Sequence, residues 1–131
     1  VAALLDKDDH GGTYCGNPLG CAVATAVVGF LEEQQIAARV AKSGELLLQQ
    51  LQMLLHRYPS LIRCVRGRGL LCAFEFHDPA NTRGFTLRCA ELGLLVVPTR
   101  KGIIRLLPDL LVTEDDINKA ATMLDAVCNE V

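Results

Sequence analysis

Three short segments of this 131-residue chain hold residue types at spacings that suit anion chemistry. The first is His10-Gly11-Gly12-Thr13-Tyr14-Cys15-Gly16-Asn17-Pro18, a glycine-rich turn that runs into a helix start. Backbone N–H groups at such a turn, with the positive end of the helix dipole, attract a phosphate, and Thr13 adds a hydroxyl donor. The same residues also make a plain loop and cap, because Asn17 is a good N-cap and Pro18 a good first helical residue. The second segment, Ile103-Ile104-Arg105-Leu106-Leu107-Pro108, sets an arginine inside an apolar strand pattern. An unpaired buried charge is costly, so Arg105 either meets an anion or reaches water from a strand at the sheet edge. Its planar fork suits a carboxylate gripped by two hydrogen bonds. The third, Val65-Arg66-Gly67-Arg68-Gly69-Leu70, reads as a turn with solvated arginines, an anion or interface role being the other reading.

Other chemistries find little support. Cys15, Cys21, Cys64, Cys72, Cys89 and Cys128 contain no C-x-x-C pair, and His10, His56 and His77 lie far apart, so no metal site is expected. The cysteines sit mostly in apolar runs and read as reduced thiols of the core, which points to a cytoplasmic protein. Lys+Arg 13 against Asp+Glu 15 leaves a net charge of −2 with the basic residues scattered, and aromatics make up 5%. Neither a nucleic-acid footprint nor a polybasic membrane patch is present. The most apolar stretch, residues 19–31, is shorter than the about 20 residues of a membrane span and reads as a buried helix. The chain opens Val-Ala-Ala-Leu-Leu with no initiator Met and no basic leader, so it is expected to be a piece of a longer protein without a signal peptide.

The elements that must position these segments follow from hydrophobic period. Residues 18–30 form a helix apolar nearly all round, and Ile36, Val40, Leu47, Leu51, Leu54 and Tyr58 mark a second, amphipathic one, which Ser43-Gly44 bends or interrupts and Pro59 ends. Arg66–Gly69 is expected as a turn, and Leu70, Cys72, Phe74 and Phe76 then alternate as one face of a strand. Residues 81–92 carry helical spacing with Gly93 beyond the end, residues 94–97 make a short buried strand, and residues 103–107 another. A last helix starts at Thr113 with Glu114-Asp115-Asp116 and an apolar stripe through Ile117, Ala120, Ala121, Leu124, Val127, Cys128 and Val131. This order predicts an α+β domain, an antiparallel or mixed sheet with helices on one face, preceded by a long linking helix.

Taken in order, Gly-Gly-Thr-Tyr-Cys-Gly-Asn-Pro-Leu, a long helix, Val-Arg-Gly-Arg-Gly-Leu and Ile-Ile-Arg-Leu-Leu-Pro resemble the C-terminal part of class III aminotransferases, the pyridoxal-phosphate enzymes of fold type I. Acetylornithine, ornithine and 4-aminobutyrate aminotransferases form the subgroup most like it. The resemblance implies that Thr13 donates to the cofactor phosphate of a neighbouring subunit, and that Arg105 binds the carboxylate of the amino-acid substrate. It implies a homodimer acting on an amino acid and a 2-oxo acid, with residues 1–16 ending the cofactor-binding domain, 17–43 linking, and 44–131 forming the small C-terminal domain. Cys15 stands where the family has the first glycine of a pair, and Leu106 where it has phenylalanine. The family's Schiff-base lysine belongs to a segment upstream of the phosphate loop, and none of Lys7, Lys42, Lys101 and Lys119 has its glycine-rich context. No catalytic residue is therefore assigned here, and the chain alone is expected to be inactive without its N-terminal cofactor-binding domain. A non-catalytic amino-acid-binding or dimerising regulatory module is the alternative expectation.

Overall fold

The computed structural model describes residues 11–131, and the chain divides into two compact units, Val1–Gln35 and Ile36–Val131. His10, Lys7 and the start of the expected irregular segment lie outside the described residues.

In the first unit a turn leads into helix α1, Pro18–Glu33. The Cys15 N–H donates to the Gly12 carbonyl at 3.0 Å and the Asn17 N–H to Tyr14 at 3.2 Å, while Gly16 takes φ +73°, a value that costs glycine nothing. Asn17 is extended and its side-chain oxygen accepts the Gly20 N–H at 3.1 Å, one of the donors a helix start otherwise leaves unpaired. Helix α1 runs a turn beyond the expected end at Phe30, and none of its residues is buried. The expectation of a buried helix is thus corrected: its apolar side chains face outward within this chain, Leu19 being 75% exposed.

The second unit carries α2 (Ile36–Arg57), β1 (Ile62–Arg68), β2 (Leu71–Phe76), α3 (Asn81–Glu91), β3 (Val97–Pro98), β4 (Ile103–Leu106) and α4 (Glu114–Cys128). The strands form one sheet in the order β1-β2-β4-β3, every pair antiparallel. Cys72, Phe74 and Phe76 of β2 and Ile104 and Leu106 of β4 point to one face, where Leu47, Leu51 and Leu54 of α2, Phe85 and Cys89 of α3, and Ile117, Leu124 and Val127 of α4 complete the core. Phe74, Phe76 and Phe85 meet edge to face at centroid separations of 5.2 to 5.6 Å, the arrangement that ring quadrupoles favour. Thr113 caps α4 by accepting the Asp116 N–H.

Three expectations need correction. Helix α2 passes Ser43-Gly44 without a break. Gly44 serves closeness instead, because a Cβ there would lie 2.4 Å from the backbone of Gly69 in the β1–β2 turn. Arg66–Arg68 belong to a strand, and the turn is confined to Gly69 (φ +54°) and Leu70. Strand β1 is hard to see in sequence because its pairing shifts between Ile62 and Cys64, which breaks the alternation, and its outward positions hold arginine. Finally, residues 94–97 are not a buried strand: only Val97–Pro98 pair, at the sheet edge, and Leu95 is 87% exposed. Proline tolerates that edge because it has no ladder hydrogen to offer.

The thiols separate by unit. Cys72, Cys89 and Cys128 are buried and Cys64 is partly buried, but Cys15 and Cys21 are exposed, which corrects their reading as core residues. Burial pushes the Cys89 thiol up to about 11 and the Cys128 thiol to about 12, so both stay protonated.

Candidate functional site

The two anion-binding candidates lie in different units. In the first, Thr13 is exposed in the turn before α1, and no hydrogen bond among the described residues uses its hydroxyl. The backbone donors around it are partly spent, since the N–H groups of Cys15, Asn17, Gly20 and Cys21 all bond within the loop and helix. The N–H groups of Thr13, Tyr14, Gly16 and Leu19 have no partner among the described residues and remain, with the Thr13 hydroxyl, as donors beside the helix N-terminus. A Cβ built on Gly11 or Gly16 would touch nothing within 4 Å, and one on Gly12 would meet Cys15 Sγ at 3.4 Å. An exposed hydroxyl fits one oxygen of a phosphate. Cys15 at the family's glycine position leaves the turn closed by its own N–H.

In the second unit, the sheet face turned away from the helices holds the other candidate. Ile104 and Leu106 are buried on either side of Arg105, and the alternation of a strand sends Arg105 to the opposite, exposed face. Strand β4 is interior, paired with β2 and β3, so an edge position does not account for this arginine. Its cross-strand neighbours are Ala73 and Val97. Ala73 leaves room beside it. None of the ion pairs or hydrogen bonds among the described residues involves the Arg105 guanidinium.

A second charged group on the same face is less apparent in the sequence. Glu75 of β2 accepts from Arg63 Nη1 at 3.1 Å and from Arg66 Nη1 at 3.0 Å, and Arg66 also lies 3.2 Å from Cys64 Sγ. The hydrogen bond from Arg66 is the main cause holding the Glu75 carboxyl below the ordinary glutamate range. Arg66, expected as a turn residue, is thus a strand residue with a partner. The signal for Glu75 was its place in the alternating strand: it is the acidic residue opposite the face built from Cys72, Phe74 and Phe76. Lys42 is engaged by Glu114 at 2.9 Å, Lys101 lies in the β3–β4 turn, and Lys119 is on α4. No group of three or more His, Cys, Asp or Glu suited to a metal ion occurs among the described residues. No helix there is long and apolar enough to cross a membrane.

A helical layer packs on one face of a small antiparallel sheet, Arg105 stands on the other face together with Arg66 and Glu75, and in the first unit a threonine loop precedes α1. The family model described as aminotransferase class III matches residues 1–128, and the chain belongs to that pyridoxal-phosphate-dependent family. It is 36% identical to the mitochondrial acetylornithine aminotransferase of Candida glabrata over 131 residues, covering all of this chain and 30% of that protein. It is 37% identical to the mitochondrial ornithine aminotransferase of Oryza sativa subsp. japonica over 132 residues, covering 92% of this chain and 28% of that one. Among solved structures it superposes on the acetylornithine aminotransferase of Elizabethkingia anophelis with a TM-score of 0.87 at 33% identity, over 100% of this chain and 33% of that one. The ornithine aminotransferase of Toxoplasma gondii gives 0.84 at 31% identity, over 99% of this chain and 31% of that one. The chain thus spans about a third of the length of the relatives it matches.

Proposed function

We propose that this chain is the C-terminal part of an aminotransferase that moves an amino group between an ornithine-type or omega-amino acid and a 2-oxo acid, and that Arg105 grips the substrate carboxylate. The observation that carries this reading is a guanidinium with no hydrogen-bond or ion-pair partner among the described residues, in the middle of an interior strand and exposed on the sheet face opposite the helices. Strand backbone holds the Cα of Arg105 in a fixed register between Ala73 and Val97, so the fork is presented in one place and a bound carboxylate would be oriented by it. Thr13 would donate its hydroxyl to one oxygen of the cofactor phosphate, across a subunit boundary. Pyridoxal phosphate, when bound, would supply the electron sink that makes the C–H bond labile on the carbon bearing the transferred amino group. The lysine that would carry the cofactor belongs to the N-terminal cofactor-binding domain, so the 131 residues alone are expected to have no transaminase activity.

Residues 1–16 are read as the end of that cofactor domain, and the expected link 17–43 is shortened to 17–35, because the packing unit that begins at Ile36 takes all of α2 into the small domain. A homodimer is the proposed assembly, supported by the exposed apolar side chains of α1, which need a covering surface. The buried, protonated thiols suit a reducing compartment, and the cytoplasm is proposed, although the Candida and rice relatives are named as mitochondrial.

The test is Arg105→Ala in the full-length enzyme. Losing a charge-assisted two-point contact is expected to lower kcat/KM for the amino donor by the equivalent of about 2–5 kcal/mol while cofactor content holds. An unchanged kcat/KM makes Arg105 a solvated strand residue and sinks the reading.

A further inference from the structure

The uncovered face of the sheet presents a problem of charge. Read across β1, β2 and β4, its positions form two neighbouring rows, Arg66–Ala73–Arg105 and Cys64–Glu75–Ile103. Glu75 is therefore diagonal to Arg66 on one side and to Arg105 on the other. Diagonal neighbours across a sheet lie about 7–8 Å apart, within reach of long side chains. By backbone position Glu75 can serve either arginine. Both of its oxygens turn to β1, Oε1 accepting from Arg63 at 3.1 Å and Oε2 from Arg66 at 3.0 Å. Its side chain is 19% exposed, against 64% for Arg63 and 51% for Arg66, so the carboxylate lies beneath the two guanidinium groups that hold it.

We propose that Arg63 and Arg66 are positioning residues that keep Glu75 turned away from Arg105, leaving the Arg105 fork open to a substrate carboxylate. The proposal rests on the reading of Arg105 as that anchor. The physical reason is competition. A carboxylate tethered within reach of a binding arginine acts at an effective concentration of about millimolar or more, comparable to a small-molecule substrate, and would occupy the site whenever it was free to turn. Glu75 cannot escape the contest by taking up a proton at neutral pH, since its neighbours hold it as the anion. Two guanidinium groups, one on each oxygen, remove it by satisfying its acceptors before Arg105 can.

In the full-length enzyme, Arg63→Gln with Arg66→Gln should free Glu75 and raise KM for the amino donor roughly threefold to fivefold, the size of one exposed ion pair, with kcat changed far less. Adding Glu75→Gln to that pair should return KM to near the parent value. A merely structural network predicts the opposite, because the triple variant has lost every ion pair of the cluster. Circular dichroism establishes that each variant is folded; if the double variant is not, Arg66→Gln with and without Glu75→Gln makes the same comparison. A KM that does not rise when the β1 arginines are removed, or that Glu75→Gln fails to restore, overturns the proposal. Arg105→Ala in parallel separates the two ideas. If it raises KM while the β1 variants do not, only the positioning role falls, and if it does not, both fall.

Discussion

Helices α1 and α4 are almost equal in length, 16 and 15 residues, and α1 is much the more apolar, yet α4 buries Ile117, Ala121, Leu124, Val127 and Cys128 while α1 buries nothing. The difference shows that apolar content and core membership are separate properties. Helix α4 confines its apolar residues to one stripe and gives its other side to Asp, Asn, Lys and Thr, so a single sheet satisfies it. Helix α1 carries Leu19, Val23, Val27 and Phe30 with alanine and valine between them, and would need surfaces on several sides. The second unit closes its core without that helix.

The largest test of this contrast is a pair of truncations. Leu124→Ala should destabilise the second unit by about 2–5 kcal/mol, as expected when a fully buried leucine is cut back, whereas Val27→Ala should change it by less than about 0.5 kcal/mol. Urea unfolding followed by circular dichroism measures both, and similar costs would mean that α1 shares the core.

A sharper version uses one substitution in two places. Gly44→Ala drives a methyl into the Gly69 backbone and should cost about 1–3 kcal/mol through forced displacement of α2. Gly29→Ala, in a helical position where a Cβ meets nothing within 4 Å, should instead strengthen α1 by about 0.4–1 kcal/mol. The opposed signs are the check: the midpoint of unfolding of the second unit should fall for the first, and the helicity of α1 should rise for the second.

The smallest effect concerns acid. Lys42 depresses the Glu114 carboxyl and Arg88 depresses that of Glu130, in each case first through a hydrogen bond. A carboxyl whose folded value lies below its unfolded one contributes stability that is present above the unfolded pKa, about 4.3 for glutamate, and is lost as pH falls through the folded value. The urea midpoint should therefore hold from neutral down to about pH 5 and decline below it. Glu114→Gln combined with Glu130→Gln should make that decline shallower, and an identical profile would show that these exposed pairs contribute nothing measurable.

Much of the second unit was legible in sequence because its signals are local. The cap at Thr113, the stripe of α4, the alternation from Leu70 to Phe76 and the Gly93 stop each depend on a few adjacent residues, and each is found in place. Strand β1 was missed because its regular alternation is interrupted between Ile62 and Cys64 and because Arg66-Gly67-Arg68-Gly69 has the composition of a turn. The exposure of Cys21 was missed for a related reason, since an apolar neighbourhood in sequence says nothing about whether a second surface is there to cover it.

The candidate site divides along the same line. Thr13 and Arg105 stand out by residue type against their flanks, so the sequence alone marks them as candidates, and the motif order alone points to the family. That β4 is an interior strand, that Arg105 stands opposite Ala73, and that Glu75 lies between two arginines of β1 and Arg105 of β4 are consequences of strand order and register. Residues 63, 66, 75 and 105 are brought onto one face by pairing between segments separated in the chain. No local propensity encodes that pairing; it follows from burying Phe74, Ile104 and their neighbours on the opposite face, which fixes the register and with it every outward side chain.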